Sequence, residues 1–405
     1  MNIPWRKRVI AALVLIGLNV YACNEASNEP EESANGEGVT LPNGTVFTRS
    51  ALLESFGTCI MSELEAFDVQ ARAFVEAVNA AAEDSSQDSV AREAWNATID
   101  RWQELEVLQF GPAGRSTIPG GQDLRNTIYA WPLVNSCAVD GHVVAQTYVD
   151  NAAEIQNNAN GLGASEYLLF NSDLSNTCAG DDDINVSGSW DALSDDDITT
   201  RRAAYAVAAA QTVSDGAEAL LNAWSPTGEN FLAELTEAGS GSRYYGKKRV
   251  AINAVSDALF YIEWATKDNK LARPLGLIGC EDAFCVDLVE SVYGRRSLEH
   301  LKNNVIGFRK IFTGCGANNE GLGFDDYLYA VGQEDLAADI DQAALGIIDA
   351  IDAIDEEDMV TALVDDLQSV SDVHGAATQL TDLLRNQFLA VLNLELPQLV
   401  QSDND

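Results

Sequence analysis

Apolar residues recur at helical spacing along most of this chain. In the first long segment, Leu52, Phe56, Ile60 and Leu64 follow one another at every fourth position, which puts them on one face of a helix. The strict alternation of apolar and polar residues that is typical of a half-buried strand is scarce. The pattern therefore predicts an all-α fold. The predicted helices cover residues 52–78, 90–108, 124–131, 143–155, 198–224, 247–268, 298–312, 335–354, 358–370 and 373–394.

Breaks rich in glycine and serine divide this helical pattern. The chain has 405 residues, enough for two domains that each bury an apolar core. The sequence Gly-Ser-Gly-Ser at residues 239–242 is the best candidate for a junction between them. The helices on either side have the lengths of bundle helices, so we predict two tandem four-helix bundles, over residues 45–238 and 243–400.

The first 22 residues have the composition of an export signal. Three basic residues at 6–8 precede an apolar run at 9–18, which is shorter than the roughly 20 residues of a membrane-spanning helix. The run leads into Val-Tyr-Ala-Cys at 20–23, which resembles a bacterial lipobox that is cleaved before Cys23. An ordinary signal peptide followed by an unrelated cysteine is the alternative.

The lipobox resemblance implies that Cys23 carries lipid and anchors the mature chain to a membrane. Asn24 follows it, which resembles the sorting pattern for the outer membrane of Gram-negative bacteria. We therefore expect an outer-membrane lipoprotein that faces the periplasm. Residues 23–44, rich in Glu, Ser, Asn and Gly, are predicted to form a flexible acidic tether between lipid and fold.

The charge of the chain is strongly negative. It has 24 basic and 63 acidic residues, a formal net charge of −39. Nucleic acid is not expected as a partner, because phosphate contacts need a basic surface. Cations and surfaces that present cations are compatible with this charge, and so is a plain acidic surface that aids solubility.

Six cysteines remain once Cys23 is assigned to lipid, and an even number in an exported chain indicates disulfides. Six cysteines allow 15 pairings. We expect Cys137 to pair with Cys178, since the two flank residues 161–170. A second bridge can close the short loop between Cys280 and Cys285. The partners of Cys59 and Cys315 stay open. A zinc site is disfavoured, because no CxxC occurs and the three histidines lie far from any cysteine pair.

Motifs of catalysis are missing from the sequence. It has no GxSxG and no HExxH, and the three histidines leave few general bases, so we assign no catalytic residue. His142 and His300 are interpreted as structural or exposed. The acidic loop after residue 180 resembles half of an EF-hand, but Val186 and Ala192 stand where that loop needs Gly and Glu. We interpret it as a solvated loop.

The segment Gly161–Phe170 is the most informative stretch of the chain. Gly161 and Gly163 allow a tight turn or a close approach of backbone. Glu166 then falls within an apolar run, where a carboxylate is costly unless it is paired, protonated or bound to a metal.

Two further carboxylates belong to the predicted second helix. Glu104 and Glu106 are separated by about 200° around a helix axis, so only one of them can share the face of Trp102. Either can pair with Arg125 or meet Glu166 in a bundle interior, and carboxylates that converge between helices are how bundles build metal sites.

Five blocks of sequence together resemble one known family. They are Trp102–Ala113, Leu124–Asn135, Gly161–Phe170, Gly294–Leu301 and Gly323–Asp326. They resemble segments of the imelysin-like proteins, a family classified among the peptidases, and the likeness extends over about residues 45–400. It implies an all-α fold of two four-helix bundles, and exported or lipid-anchored proteins associated with iron uptake.

A GxHxxE motif that is proposed to bind metal marks many members of that family. The matching positions here are Gly161, Gly163 and Glu166, so glycine replaces the histidine. The sequence thus resembles the branch of predicted lipoproteins with a degenerate motif. Without the imidazole, the best transition-metal ligand is lost. Two interpretations remain open: a hard cation held by oxygen ligands, or no metal at all. In the second interpretation Glu166 is buried and pairs with Arg125.

We therefore expect a lipid-anchored binding protein that serves the acquisition of iron or another metal, with iron or another divalent cation as its cargo. Glu166 is the expected metal ligand. The alternatives are a non-catalytic protein that docks an envelope partner and a metallopeptidase. The expected ligand site consists of Gly161, Gly163, Glu166, Arg125, Glu106 and Glu104, with Trp131 and Tyr167 as walls.

Overall fold

A computed structural model describes residues 36–316 and 321–401. The prediction of an all-α fold is confirmed: within those ranges the strands are limited to β1 (Val39–Thr40) and β2 (Val46–Phe47), which pair antiparallel. The helices are α1 (Arg49–Glu83), α2 (Asp88–Leu105), α3 (Leu124–Ile128), α4 (Ser136–Ala145), α5 (Thr147–Asp150), α6 (Gly161–Phe170), α7 (Asp183–Val186), α8 (Asp195–Trp224), α9 (Phe231–Thr236), α10 (Lys248–Leu259), the π-helix π1 (Ile262–Ala272), α11 (Ser297–Phe312), α12 (Phe324–Ala330), α13 (Glu334–Asp352), α14 (Met359–Asp365), α15 (Leu367–Leu383), the π-helix π2 (Leu384–Phe388) and α16 (Leu389–Leu392). Short 3₁₀ turns lie at Ser85–Gln87, Gly111–Ala113, Ala152–Glu154, Asn157–Ala159, Val286–Leu288 and Gln398–Val400.

The first group of packed helices contains α1, α2, α6 and α8. Helix α1 begins at a capping residue, Thr48, whose side chain accepts a hydrogen bond from the backbone N–H of Ala51. Helix α8 begins with a capping box formed by Ser194 and Asp197. The acidic run at 195–197 therefore lies in the first turn of a helix, where negative charge is stabilised by the helix dipole.

The second group contains π1, α11, α13 and α15. Helix α11 also packs against α2, and the buried apolar residues of both groups form one continuous core. The boundaries of the two tandem bundles stay a prediction, because this core runs through both groups without a division.

Three segments differ from their predicted form. Residues 36–44, which were assigned to the tether, contain strand β1 and the turn of the β1–β2 hairpin. In this hairpin Leu41 is buried and Phe47 stacks on Tyr327. The predicted helix at 143–155 is broken into the end of α4, α5 and a 3₁₀ turn, with Gln146 in a left-handed conformation between α4 and α5. The predicted helix at 247–268 changes into π1.

Three disulfides connect the fold. Cys137–Cys178 and the short loop Cys280–Cys285 are both formed, which confirms those two expectations. The third bridge joins Cys59 of α1 to Cys315, which follows α11. It ties α1 of the first group to the segment that follows α11 of the second group.

In the part of the chain that the structure describes, no helix combines the length and the apolar character needed to cross a bilayer. The predicted signal peptide, Cys23 and residues 23–35 of the predicted tether lie outside the described residues.

Candidate functional site

Helix α6 brings Glu166 to the junction between the two groups of helices. Gly161, its first residue, has φ +67°, and a Cβ there would lie 2.4 Å from the carbonyl oxygen of Ile128. A Cβ on Gly163 would lie 2.4 Å from Cγ2 of Val134. The loop around Val134 therefore occupies the space into which a side chain at position 163 would extend, and both glycines allow a close approach of backbone.

Glu166 is held through one of its two carboxylate oxygens. Its Oε1 accepts hydrogen bonds from Ser291 Oγ (3.0 Å) and from the backbone N–H groups of Tyr293 (3.1 Å) and Gly294 (2.8 Å). The residue is 6% exposed, and burial raises the pKa of its carboxyl although these hydrogen bonds and His300 act in the opposite direction. Every hydrogen bond that the structure describes to Glu166 ends on Oε1, so Oε2 is left for a ligand.

A cavity of about 570 Å³ opens beside Glu166. One side of it comes from α6 and the segment 131–136, and the other from π1 and the segment 286–295. Four aromatic side chains line it: Tyr129, Trp131, Tyr167 and Tyr293. Cavities of this size and character are typical of small-molecule sites.

A network of buried charges lies behind the cavity. Glu106 is bound by Arg125, whose Nε and Nη2 donate to Oε1 at 2.9 Å and 2.5 Å. The Lys270 ammonium of π1 lies among four acceptors: Gln103 Oε1 (2.6 Å), Asn304 Oδ1 (2.9 Å), Glu290 Oε2 (3.1 Å) and Glu106 Oε2 (3.5 Å). Since burying an isolated charge is expensive, this arrangement is stable only because the charges compensate one another.

Glu290 connects this network to the cavity, which it also lines. Its Oε1 accepts from the Tyr129 hydroxyl (3.0 Å) and from Gln103 Nε2 (3.1 Å). Its Oε2 lies 3.1 Å from both Lys270 Nζ and His300 Nδ1. Burial by itself raises the pKa of Glu290, but Lys270 and His300 outweigh it and the pKa is lowered. Glu290 is therefore an ionised partner of the lysine.

Half of the eight predicted site residues line the cavity, namely Glu166, Gly163, Trp131 and Tyr167. Gly161 packs behind it, and Arg125 and Glu106 belong to the buried network and not to the lining. The prediction that only one of the two neighbouring carboxylates joins the helix interior is met by Glu106.

Two expectations need correction. Arg125 pairs with Glu106, which was one of the alternatives predicted for it, and not with Glu166, whose hydrogen bonds come from the segment 291–294. Glu104 points away from the cavity and bridges Lys310 (2.6 Å) and Arg101 (3.2 Å) at the rim of α2 and α11. The reason is the helical period: Glu104 in the last turn of α2 and Glu106, the residue that follows the helix, lie on opposite sides of the helix axis.

Lys270, Glu290 and His300 were missed as site residues by sequence reasoning. His300 is fully buried. A signal was present for two of them, because residues 290 and 300 lie in or next to the family-like block at 294–301. No feature of the sequence marked Lys270, since a lysine among polar residues near the end of a predicted helix is typical of an exposed position.

The residues around Glu166 do not form a coordination sphere for a bare metal ion. Within residues 36–316 and 321–401, three potential ligands from His, Cys, Asp and Glu come within coordinating distance of one another only at Cys137, Cys178 and Asp182. Those two cysteines form a disulfide, which removes their thiolates. At the junction, the Lys270 ammonium lies between the carboxylates of Glu106 and Glu290, where a bound cation would compensate their charge.

Comparisons with known proteins agree with this architecture. The family described as Imelysin matches residues 60–387. Iron-regulated protein A of Synechococcus elongatus is 22% identical over 226 residues, which are 55% of this chain and 52% of that protein, so the chain matches about half the length of this curated relative.

The fold also has a solved counterpart. The crystal structure of an imelysin-like protein from Psychrobacter arcticum 273-4 superposes with a TM-score of 0.63 at 14% identity, covering 86% of this chain and 98% of that one. At this identity the likeness concerns the fold alone. Since the family match extends over most of the sequence, the chain belongs to the imelysin family.

Proposed function

We propose that the chain is an exported, lipid-anchored binding protein that takes up a ligand in the cavity beside Glu166 and serves the acquisition of iron or another metal. The observation that carries the binding role is the buried Glu166 itself: its Oε1 is fixed by three donors, its Oε2 accepts none of these hydrogen bonds, and the residue lines a cavity of about 570 Å³. A buried carboxylate whose hydrogen bonds come from neutral donors costs free energy in the empty protein, and a ligand that contacts it recovers part of that cost.

The link to iron comes from the curated relative, which is named for its regulation by iron. Among the described residues that line the cavity, no three carboxylates or histidines converge on one point, whereas iron requires several ligands. The cargo is therefore a metal that arrives with ligands of its own, as a chelate.

Export is supported by the three disulfides, because such bonds persist in oxidising compartments outside the cytoplasm. The lipobox-like sequence that ends at Cys23 supports the lipid anchor. Cys23→Ser is expected to release the protein from the membrane fraction into the soluble periplasmic fraction. Equal membrane association of both proteins would contradict the anchor.

Titration calorimetry tests the binding role. Soluble protein that begins at Asn24 is titrated with Fe(III) citrate, Fe(II), Ca²⁺ and haem, beside Glu166→Gln and Glu104→Gln. We expect an iron species to bind to the unaltered protein and to Glu104→Gln, and to bind at least tenfold more weakly to Glu166→Gln. Glu104 is the matched control because it bears the same carboxylate outside the cavity. If none of these species binds to the unaltered protein, the proposed role in metal acquisition is wrong.

A further inference from the structure

The tyrosine hydroxyl groups on the walls of the cavity already donate hydrogen bonds within the protein. The Tyr129 hydroxyl donates to Glu290 (3.0 Å), the Tyr167 hydroxyl to Asp140 (2.8 Å), and the Tyr293 hydroxyl to Ser136 Oγ (3.3 Å). Each tyrosine that lines the cavity thus already uses its polar end within the protein. What these side chains offer a ligand is the surface of their rings.

Apolar side chains complete the same lining, among them Val134, Val286, Leu288 and Val292. They suit the organic body of a ligand and give it no hydrogen bonds. Three acidic residues line the cavity. Asp287 is exposed to solvent and Glu290 is compensated by Lys270, whereas the hydrogen bonds of the buried Glu166 come from neutral groups. Glu166 is therefore the buried carboxylate of the lining that has no lysine or arginine among the described residues as a partner.

A carboxylate oxygen next to several aromatic rings is an arrangement that recognises positively charged nitrogen. The carboxylate supplies a charge-assisted hydrogen bond, and the ring faces attract a cation through their quadrupoles. The neighbouring network already uses this chemistry, since the Lys270 ammonium lies 5.6 Å from the centre of the Trp131 ring and 5.5 Å from that of Tyr261. The net charge of −39 further favours the approach of cations.

We propose that the cavity recognises an organic ammonium group, which binds Oε2 of Glu166 while the body of the ligand lies against the aromatic walls. This inference rests on the proposed role of the cavity as the ligand site, and it names the chemical class of the group that the ligand presents there. For a metal chelate, the amine belongs to the chelating molecule and not to the metal centre.

Arg273 and Arg295 also line the cavity. The alternative to an ammonium ligand is therefore an anionic ligand that binds to one of these arginines. Arg295 is compensated by Asp358, whose Oδ2 lies 2.6 Å from Nη1. Arg273 is thus the residue that an anionic ligand would use. It provides a matched control: Arg273→Gln and Glu166→Gln each remove one charge, of opposite sign, from the same cavity.

The test uses two probes that share one skeleton, 2-phenylethylamine and 3-phenylpropionate. They carry opposite charges on the same phenylethyl group. Binding to the protein beginning at Asn24 is measured by ligand-observed NMR and by calorimetry. We expect the amine to bind at least tenfold more tightly than the carboxylate. Glu166→Gln should weaken the amine at least tenfold, and Arg273→Gln should not weaken it.

Three results would overturn the inference: no binding of the amine, preference for 3-phenylpropionate, or amine binding that Glu166→Gln leaves unchanged. The comparison of the two probes on the unaltered protein decides the matter even if Glu166→Gln does not fold. Iron titrations on the same samples separate the two proposals. Iron binding without amine binding removes only the ammonium assignment, and amine binding without iron binding removes only the metal role.

Discussion

Replacing Lys270 with methionine tests whether the buried network holds the two groups of helices together. Methionine keeps nearly the length of the side chain and removes its charge and its hydrogen bonds. The Lys270 side chain is 1% exposed, and its ammonium compensates Glu290 at 3.1 Å and Glu106 at 3.5 Å. In Lys270→Met, Glu106 keeps Arg125 as a partner, whereas Glu290 keeps only His300 and neutral donors.

The size of the effect follows from the partner that is left behind. Removal of one member of a buried ion pair typically costs about 3–5 kcal/mol, because the other charge stays buried without compensation. We expect Lys270→Met to lower the free energy of unfolding by that amount. Glu290→Gln in the same background removes the stranded charge, so the double variant should recover part of the loss.

The assay is urea denaturation at pH 7, followed by tryptophan fluorescence and far-ultraviolet circular dichroism. Coincident curves from the two signals justify a two-state free energy. Lys302→Met is the matched control, since Lys302 pairs with Asp352 at 2.6 Å on the surface, where both side chains are at least 36% exposed. That substitution should change the stability by less than about 1 kcal/mol.

Two outcomes would refute this reasoning. One is a loss of less than about 1 kcal/mol in Lys270→Met, which would mean that the ammonium is not needed to compensate the carboxylates. The other is equal destabilisation by Lys270→Met and Lys302→Met, which would mean that burial of the charge does not matter.

Three further predictions concern other parts of the fold, each measured by urea denaturation. Gly163→Ala forces a Cβ to 2.4 Å from Cγ2 of Val134, so we expect a loss of about 1–3 kcal/mol that Val134→Ala largely restores. Replacement of Cys137 and Cys178 by serine opens a loop between residues 41 apart, with an expected loss of about 4 kcal/mol in the chain-entropy estimate. Burial and a neighbouring carboxylate raise the pKa of Asp325 to about 7 from 3.8. The folded state therefore keeps a proton that the unfolded chain releases, so stability falls as the pH rises from about 4 to about 7. At about 1.4 kcal/mol for each pKa unit, Asp325→Asn should reduce that fall by about 4 kcal/mol.

A specific result would contradict each of these predictions. If Gly163→Ala had the same free energy of unfolding as the unaltered protein, the loop at residue 134 would move aside at no cost in stability. Unchanged stability after loss of the Cys137–Cys178 bridge would mean that the unfolded chain is already compact there. An Asp325→Asn variant with the same dependence on pH as the unaltered protein would mean that Asp325 ionises normally in the fold.

The helices could be predicted because their apolar stripes are long. The predicted ranges 198–224 and 298–312 lie within α8 and α11 and reach the same final residues, Trp224 and Phe312. The π-helix π1 could not be predicted, because hydrophobic spacing does not report which backbone groups form the hydrogen bonds. The π-helical hydrogen bonding of π1 matters for the site, since Lys270 lies in this helix and is buried.

The site was predictable where a single segment contains the signal. Glu166 stood out as a carboxylate within an apolar run of ten residues, and the structure buries it. Its real partners, Ser291 and the N–H groups of residues 293 and 294, lie more than 120 residues away along the chain. The sequence gives no measure of such distances, so Arg125, an available cation, was the natural but wrong partner.

The most direct test of the central claim is metal analysis of the protein purified from its own envelope, beside Glu166→Gln and Glu104→Gln. The claim is that the cavity beside Glu166 holds the metal-bearing cargo. It predicts that iron or another metal copurifies with the unaltered protein and with Glu104→Gln, and falls at least tenfold in Glu166→Gln. Equal metal content in all three proteins, or none in the unaltered one, would contradict it.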